Sequence, residues 1–269
     1  MKSIYTKEQI DFIKDNYNKM PYREIANILG FTEKQIRGRI NNMGLTKNRK
    51  VNSDYFKTID CSLKAYLLGF IYADGWVVCN SKTSNYEFGM QLQSQDRYIL
   101  EKINEVLGGS NIIYHEDPCD KIINGVTTRS GHSDVLRVYS KQLVYNLISN
   151  GIETNKSSKD IFPIVKDELF FDFLRGYIDG DGCFSISKNH ITCHITCNSV
   201  VPLKYIGDKL KTDYKINSTI YSENEHKNRI YISISNMKEF VNHLYYRDDL
   251  FCLKRKYEIV KSLINGLAA

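Results

Sequence analysis

The sequence predicts an α+β fold in which one αββαββα unit occurs twice, behind a small domain of three helices. Three observations lead there. The segment Leu67 to Gly75, LLGFIYADG, is repeated in outline at Leu174 to Gly182, LRGYIDGDG. Each copy is followed by a strongly alternating stretch, Tyr86 to Gln93 and His190 to Asn198, and then by a helical run with apolar residues three and four apart. The first 46 residues instead carry two capping boxes and a Gly turn, which is the grammar of short helices.

Taken in order, Thr6 to Gln9 opens a helix with Ile10, Ile13 and Tyr17 on one side. Pro21 suits the first turn of a second helix that carries Ile25, Ile28 and Leu29 and closes at Gly30. Thr32 to Gln35 opens a third, with Ile36, Ile40 and Met43 inward and Lys34, Arg37, Arg39, Asn41 and Asn42 outward. Lys47 to Asp54 is polar and charged, as linkers are. Each LLGF-like segment reads as the end of a helix that stops at Gly. In the first strand Phe88, Met90 and Leu92 face one way and Glu87, Gly89, Gln91 and Gln93 the other. Asp96 is placed to cap a helix through Leu107, and strands near 111–115 and 135–139 and a helix over 141–149 follow. In the second half Ile191, Cys193, Ile195 and Cys197 point inward and His190, Thr192, His194 and Thr196 outward. Ser199 takes the capping place of Asp96, strands near 215–221 and 229–235 come next, and helices from about 238 and 252 end the chain. The domain boundaries expected are 1–46 for the three-helix domain, 47–57 for the linker, 58–160 for the first repeat and 161–269 for the second.

Composition narrows the function classes. With 269 residues, 42% of them apolar, the chain buries a sizeable core. No stretch has the roughly 18 apolar residues of a membrane span, and MKSIYTKEQ has no signal-peptide core, so a membrane partner and secretion are not expected. Seven Cys, an odd number without a Cys-x-x-Cys and with Cys193 and Cys197 at same-face strand spacing, predict buried free thiols rather than disulfides or zinc, and a reducing compartment. The charge is unevenly placed: the first 50 residues hold eleven Lys and Arg against five Asp and Glu, which accounts for the whole net charge of +6. A basic front module suits a polyanion.

The twin segments carry the chemistry. Gly69 and Ala73, like Gly176 and Gly180, lie four apart and share a helix face on which a second backbone can come close. Two helices packed on those faces end with Asp74 beside Asp181. A carboxylate opposes the dipole at a helix C-terminus and two repel each other, so the arrangement calls for a cation, and oxygen ligands suit Mg²⁺ or Mn²⁺.

Both segments resemble the LAGLIDADG motif, and the resemblance to that family of homing endonucleases runs from about residue 60 to the end. It implies two antiparallel sheets forming a saddle on the DNA major groove, with the eighth motif residues, Asp74 and Asp181, binding the catalytic metals and the carbonyls of Ala73 and Gly180 assisting. The first copy departs at its sixth position, where Tyr72 stands for Asp179. The resemblance also implies a Lys in each half near the metals: Lys156 in GIETNKS and Lys256 in LKRKYE, with Lys254 and Arg255 as substitutes for the latter. The front resembles Myb-like or helix-turn-helix modules, which makes Lys34, Arg37, Arg39 and Asn41 candidates for phosphates and base edges. On the sheets the candidates are Gln91, Gln93, His190, Thr192, His194 and Arg229, with Tyr231 and Ser233 beside them.

The function these features imply is metal-assisted hydrolysis of double-stranded DNA at a long, partly asymmetric site, by a monomer in the cytoplasm of a bacterial or phage-infected cell or in an organellar matrix. The family resemblance implies a double-strand break across the minor groove with short 3′ overhangs as the product. Two rivals use the same fold: an intron RNA maturase, and a transcription regulator that binds without cutting. Retention of both acids argues against the second. His115, His132, His226 and His243 show no ligand spacing in the sequence and receive no role.

Overall fold

The structure is a computed structural model that describes residues 4–45, 50–123, 126–154, 161–187, 190–224 and 227–264. In chain order it contains α1 (Lys7–Asn16), α2 (Tyr22–Leu29), α3 (Glu33–Asn42), α4 (Ser62–Asp74), β1 (Gly75–Asn80), β2 (Asn85–Gln93), α5 (Arg97–Val106), β3 (Ile113–Glu116), β4 (Asp120–Ile123), β5 (Val126–Arg129), β6 (Ser133–Tyr139) and α6 (Lys141–Ser149). The second repeat follows as α7 (Phe170–Asp181), β7 (Gly182–Ser187), β8 (His190–Cys197), α8 (Val201–Tyr214), β9 (Ser218–Asn224), β10 (Lys227–Ile232), α9 (Met237–Leu244) and α10 (Lys254–Ile264). Two antiparallel four-stranded sheets result, ordered β1-β2-β6-β3 and β7-β8-β10-β9. The duplicated α+β architecture is therefore as the sequence predicts. The β4–β5 hairpin is an addition that alternation did not reveal.

The residues group into two units, Met1–Asn52 with Leu92–Val138, and Ser53–Gln91 with Tyr139–Ala269. In the first unit, α1 to α3 close on Ile13, Ile25, Ala26, Ile36 and Ile40. Both capping boxes form: Thr6 and Thr32 accept from the backbone of Gln9 and Gln35, whose side chains reach back to the Thr amides. Such a cap contributes about 1 kcal/mol. Gly30 adopts φ +74°, the left-handed turn that separates α2 from α3. Ile28 is exposed rather than packed, and Pro21 sits at the cap of α2, one residue before its expected place. Part of the segment read as a linker is tied down, since the Asn52 amide donates to Leu107 O at 3.0 Å and Ser110 Oγ to Lys50 O at 3.2 Å. Asp96 precedes α5 but makes no capping hydrogen bond. A 3₁₀ turn over 94–96 leads into that helix instead.

The second unit is built on α4 and α7, both buried along most of their length. The inner face of β8 carries the buried Cys193, Ile195 and Cys197 and alternates as predicted. Pro202 lies in the first turn of α8, and Ser199 Oγ accepts from the Val201 amide at 3.2 Å, so the predicted cap acts one residue before the N-cap position held by Val200. The strand face expected to be open at Glu87 and Gly89 is covered by Trp76. A Cβ on Gly89 would lie 2.1 Å from the indole, whose Nε1 donates to Glu87 Oε1 at 3.2 Å. All seven thiols are free: Cys193 and Cys197 are buried on their strand as their spacing predicts, Cys252 is half-buried, and Cys61, Cys79, Cys119 and Cys183 are exposed.

Candidate active site

The two motif helices touch backbone to backbone. A Cβ on Gly69 would fall 2.0 Å from the Phe173 carbonyl oxygen, and one on Gly176 would fall 1.9 Å from that of Tyr66. Only Gly fits at either place. One turn on, a Cβ at Gly180 would meet Ala73 Cβ at 2.2 Å and Asp74 Oδ2 at 3.1 Å. The Asp74 carboxylate therefore lies against Gly180 in the last turn of the opposite helix, the residue before Asp181, and both acids are half-buried.

Neither helix ends in the left-handed cap that a terminal Gly suggests. Gly75 (φ −72°, ψ 158°) and Gly182 (φ −89°, ψ 164°) are extended and are the first residues of β1 and β7. Gly is required there for space, because a Cβ would come 2.7 Å from the carbonyl oxygens of Ile71 and Ile178 in the preceding turns. The chain passes from helix to strand without a loop, so each Asp is held between two rigid elements.

Lys256 is buried beneath this junction. Its Nζ donates to the carbonyls of Ile178 (2.7 Å), Asp179 (2.7 Å), Gly180 (3.3 Å) and Gly182 (2.6 Å). The ammonium thus caps the C-terminus of α7, where the helix dipole favours a cation. Burial lowers its pKa, opposed by the negative charges of Asp179 and Asp74. Of the two lysines expected near the metals, Lys256 is at the motif junction, and Lys156 lies outside the described residues.

Sequence reading missed Asp179 as an anchor. Its Oδ2 accepts from Tyr66 OH at 2.9 Å and from the Leu253 amide at 2.7 Å, linking α7 to α4 and to the start of α10. Burial pushes its pKa up to about 6, against the Leu253 amide and the Lys256 charge. A second buried network ties the same helices further up: Arg175 pairs with Asp172 at 2.8 Å, and Asp172 Oδ1 also accepts from Ser62 Oγ at 2.7 Å. Both were hidden because a buried polar side chain is recognised by its partner: Tyr66 and Leu253 are far from Asp179 in sequence and Ser62 is far from Asp172, and the Asp172–Arg175 pair, one helical turn apart, reads in sequence as an ordinary surface pair.

The donor set fits a hard divalent cation. Two carboxylates stand at paired helix C-termini, with the Ala73 and Gly180 carbonyls one residue before them, and oxygen is what Mg²⁺ prefers. The Gly180 oxygen already accepts from Lys256, so that position serves the ammonium as well.

On the outer face of the second sheet the register sets Thr192 beside Ser185, His194 between Cys183 and Tyr231, and Arg229 beside Thr196 and Tyr221. The His194 and Tyr231 rings lie 5.1 Å apart, and burial with the Arg229 and Lys256 charges lowers the His194 pKa. Arg229 is ion-paired to Glu223, which also holds Lys227. His190 and Gln93 are exposed and Gln91 half-buried. In the three-helix module Lys34 and Asn41 are exposed, whereas Arg37 pairs with Glu33 at 2.7 Å and Arg39 lies half-buried over the Tyr5 ring at 5.5 Å. Arg39 is thus engaged with the Tyr5 ring rather than fully open to solvent.

Comparison with protein families adds the deciding observation. Residues 67–161 match the family described as LAGLIDADG endonuclease, and residues 169–245 match the LAGLIDADG-like domain. The chain is a double-motif LAGLIDADG protein. Among solved structures, the LAGLIDADG fold of this chain is similar to the homing endonuclease I-WcaI bound to its DNA recognition sequence, at 15% identity and a TM-score of 0.53 over 82% of this chain and 96% of that one. It is also similar to I-DmoI in complex with DNA and Ca, at 16% identity and 0.45 over 73% and 92%. Full-length DUF199/WhiA from Thermatoga maritima aligns at 16% identity and 0.44 over 80% and 68%. No curated protein matches the sequence. No helix among the described residues of this LAGLIDADG protein is long and apolar enough to cross a membrane.

Proposed function

We propose that the chain is a site-specific endonuclease that hydrolyses both strands of a DNA target with the help of divalent metal, as a monomer. The observation that carries this reading is the glycine contact of α4 with α7, which sets the Asp74 carboxylate against Gly180, the residue that precedes Asp181. A fold needing only rigidity would have no use for two like charges at two helix C-termini, where each is disfavoured.

Asp74 and Asp181 hold the cations in this reading, with the carbonyls of Ala73 and Gly180 as further oxygen donors. Bound Mg²⁺ or Mn²⁺ supplies Lewis acidity toward the scissile phosphate and activates water for in-line attack. Lys256 fixes the last turn of α7 through its four carbonyls and keeps Asp181 in place while adding positive charge close to the phosphate. Lys156 is proposed for the matching place in the first half on the motif resemblance alone.

The outer sheet residues Gln91, Gln93, His190, Thr192 and His194 offer amide, imidazole and hydroxyl groups to base edges. Arg229 takes part only after exchanging Glu223 for the DNA. The three-helix module acts as a second, helix-turn-helix DNA contact through Lys34, Arg37 and Asn41, its basic charge adding affinity that falls with salt. Since two diverged repeats read the two half-sites, the target is long and only partly symmetric.

The test is cleavage of a randomised plasmid library in Mg²⁺ by the full chain and by Asp74→Asn and Asp181→Asn, with the ends sequenced. Discrete staggered cuts, lost by at least about 10³-fold in either variant while DNA binding persists, are expected; that is about 4 kcal/mol of barrier. Binding without cutting by all three proteins would overturn the nuclease reading and leave a DNA-binding regulator.

A further inference from the structure

We propose that His115, Asp117 and His132 form a second metal site, one for a transition-metal ion such as Zn²⁺, at the base of the β4–β5 hairpin. The three side chains are exposed and converge. His132 Nδ1 lies 3.3 Å from His115 Nε2, and Asp117 Oδ1 lies 3.7 Å from His115 Nε2 and 3.9 Å from His132 Nδ1. Zinc bonds of about 2.0–2.1 Å in a tetrahedron put ligand atoms about 3.3–3.4 Å apart. The triangle is close to that size before any ion enters, and its fourth corner opens to solvent.

What lies behind His115 is independent support. Its Nδ1 is 3.1 Å from Oδ1 of Asp134, a residue only 1% exposed, which Arg97 holds from the other side at 2.9 Å. Ser94 Oγ also approaches that nitrogen, at 3.4 Å. A buried carboxylate at Nδ1 keeps the proton there and turns the lone pair of Nε2 toward the triangle, the carboxylate–histidine arrangement that orients metal ligands.

The strand register explains why the site was invisible in the sequence. β3 pairs with β6 so that His115 faces Asp134 and Glu116 faces Ser133. One step further along the same register brings Asp117 opposite His132, although the hairpin separates them in the chain. The backbone of His132 is fixed in turn, its carbonyl accepting from the Ser94 amide at 3.1 Å. An ion in the triangle would link the end of β3 to the start of β6 and close the hairpin's base.

Two imidazoles and one carboxylate select Zn²⁺, Ni²⁺ or Cu²⁺ over Mg²⁺, so the site is chemically separable from the oxygen ligands of Asp74 and Asp181. The simpler alternative is a hydrogen bond between the two imidazoles, with the carboxylate uninvolved.

The experiment is calorimetric titration of the chelator-stripped full chain with ZnCl₂ in excess Mg²⁺, for the wild type, His132→Asn, Asp117→Asn and Cys119→Ser. Cys119 is included because this exposed thiol is close in sequence. One Zn²⁺ per chain is expected, weakened at least tenfold by His132→Asn and by Asp117→Asn and unchanged by Cys119→Ser. With Co²⁺ as the probe, the spectrum should lack thiolate charge-transfer absorption. The substituted side chains are exposed, and circular dichroism checks that each variant is folded. No binding by the wild type, binding that survives both ligand substitutions, or a cobalt–thiolate band would overturn the proposal.

Discussion

The two motif helices end alike in their backbones and differently in what secures them. At α4 and α7 alike, a Gly in mid-helix admits the partner's carbonyl, an Asp closes the last turn and an extended Gly begins a strand. The sixth motif position then diverges. Tyr72 packs edge-on against Phe162 and Tyr177 and donates from its hydroxyl to the Ile161 carbonyl at 3.1 Å. Asp179, its counterpart, is a buried acid held by Tyr66 and Leu253 above the Lys256 cap. The lesson is that backbone contact between the helices tolerates no substitution, whereas anchoring of each helix end can be achieved by an aromatic wedge or by a charged network.

Five substitutions sharpen that contrast, and the symmetric positions should give the largest effect. Gly69→Ala and Gly176→Ala each push a methyl into a main-chain oxygen, and each should destabilise the fold by at least about 3 kcal/mol in urea melts. A markedly smaller loss in one of them would mean that the two helices are not equivalent at their crossing.

The asymmetric positions come next. Asp179 has a pKa raised to about 6 from 3.8, so the folded state binds its proton more tightly than the unfolded chain does. The stability this provides is complete below pH about 4 and is lost as pH rises through about 6, by about 3 kcal/mol. Subtracting the urea stability of Asp179→Asn from that of the wild type across this window, in EDTA, should reveal that fall; a flat difference would remove the burial argument. Lys256→Met strips the donor from four carbonyls at the end of α7 and should cost about 2 kcal/mol. Its cleavage loss should exceed what the stability change explains if the cap positions Asp181. Tyr72→Phe keeps the aromatic packing and removes the hydrogen bond to Ile161, so about 1 kcal/mol is expected, with cleavage nearly intact.

Legibility in the sequence followed the range of the interaction. The capping boxes at Thr6 and Thr32, the alternation of β8 and the helix over 141–149 are local patterns, set within a few residues, and they appear in the structure as read. The two helix ends at Asp74 and Asp181 were legible because the duplication repeats the nonamer in outline, with Leu, Gly, Ile, Asp and Gly in common. The cover that Trp76 lays over Gly89, the burial of Asp179, and the extended rather than left-handed glycines at 75 and 182 depend on neighbours across a strand or between helices. No periodicity records those neighbours.

By itself, then, the sequence determined the repeated α+β order, the basic three-helix front and the pair of acids, since propensity, capping and hydrophobic period act along the chain. Tertiary structure alone decided that Lys256 spends its charge on the main chain of α7, that Arg39 lies on Tyr5 and Arg229 on Glu223, and that His115, Asp117 and His132 meet. A charged or ligating side chain takes its role from whichever partner is nearest in space, and antiparallel pairing and helix packing choose that partner without regard to distance along the chain.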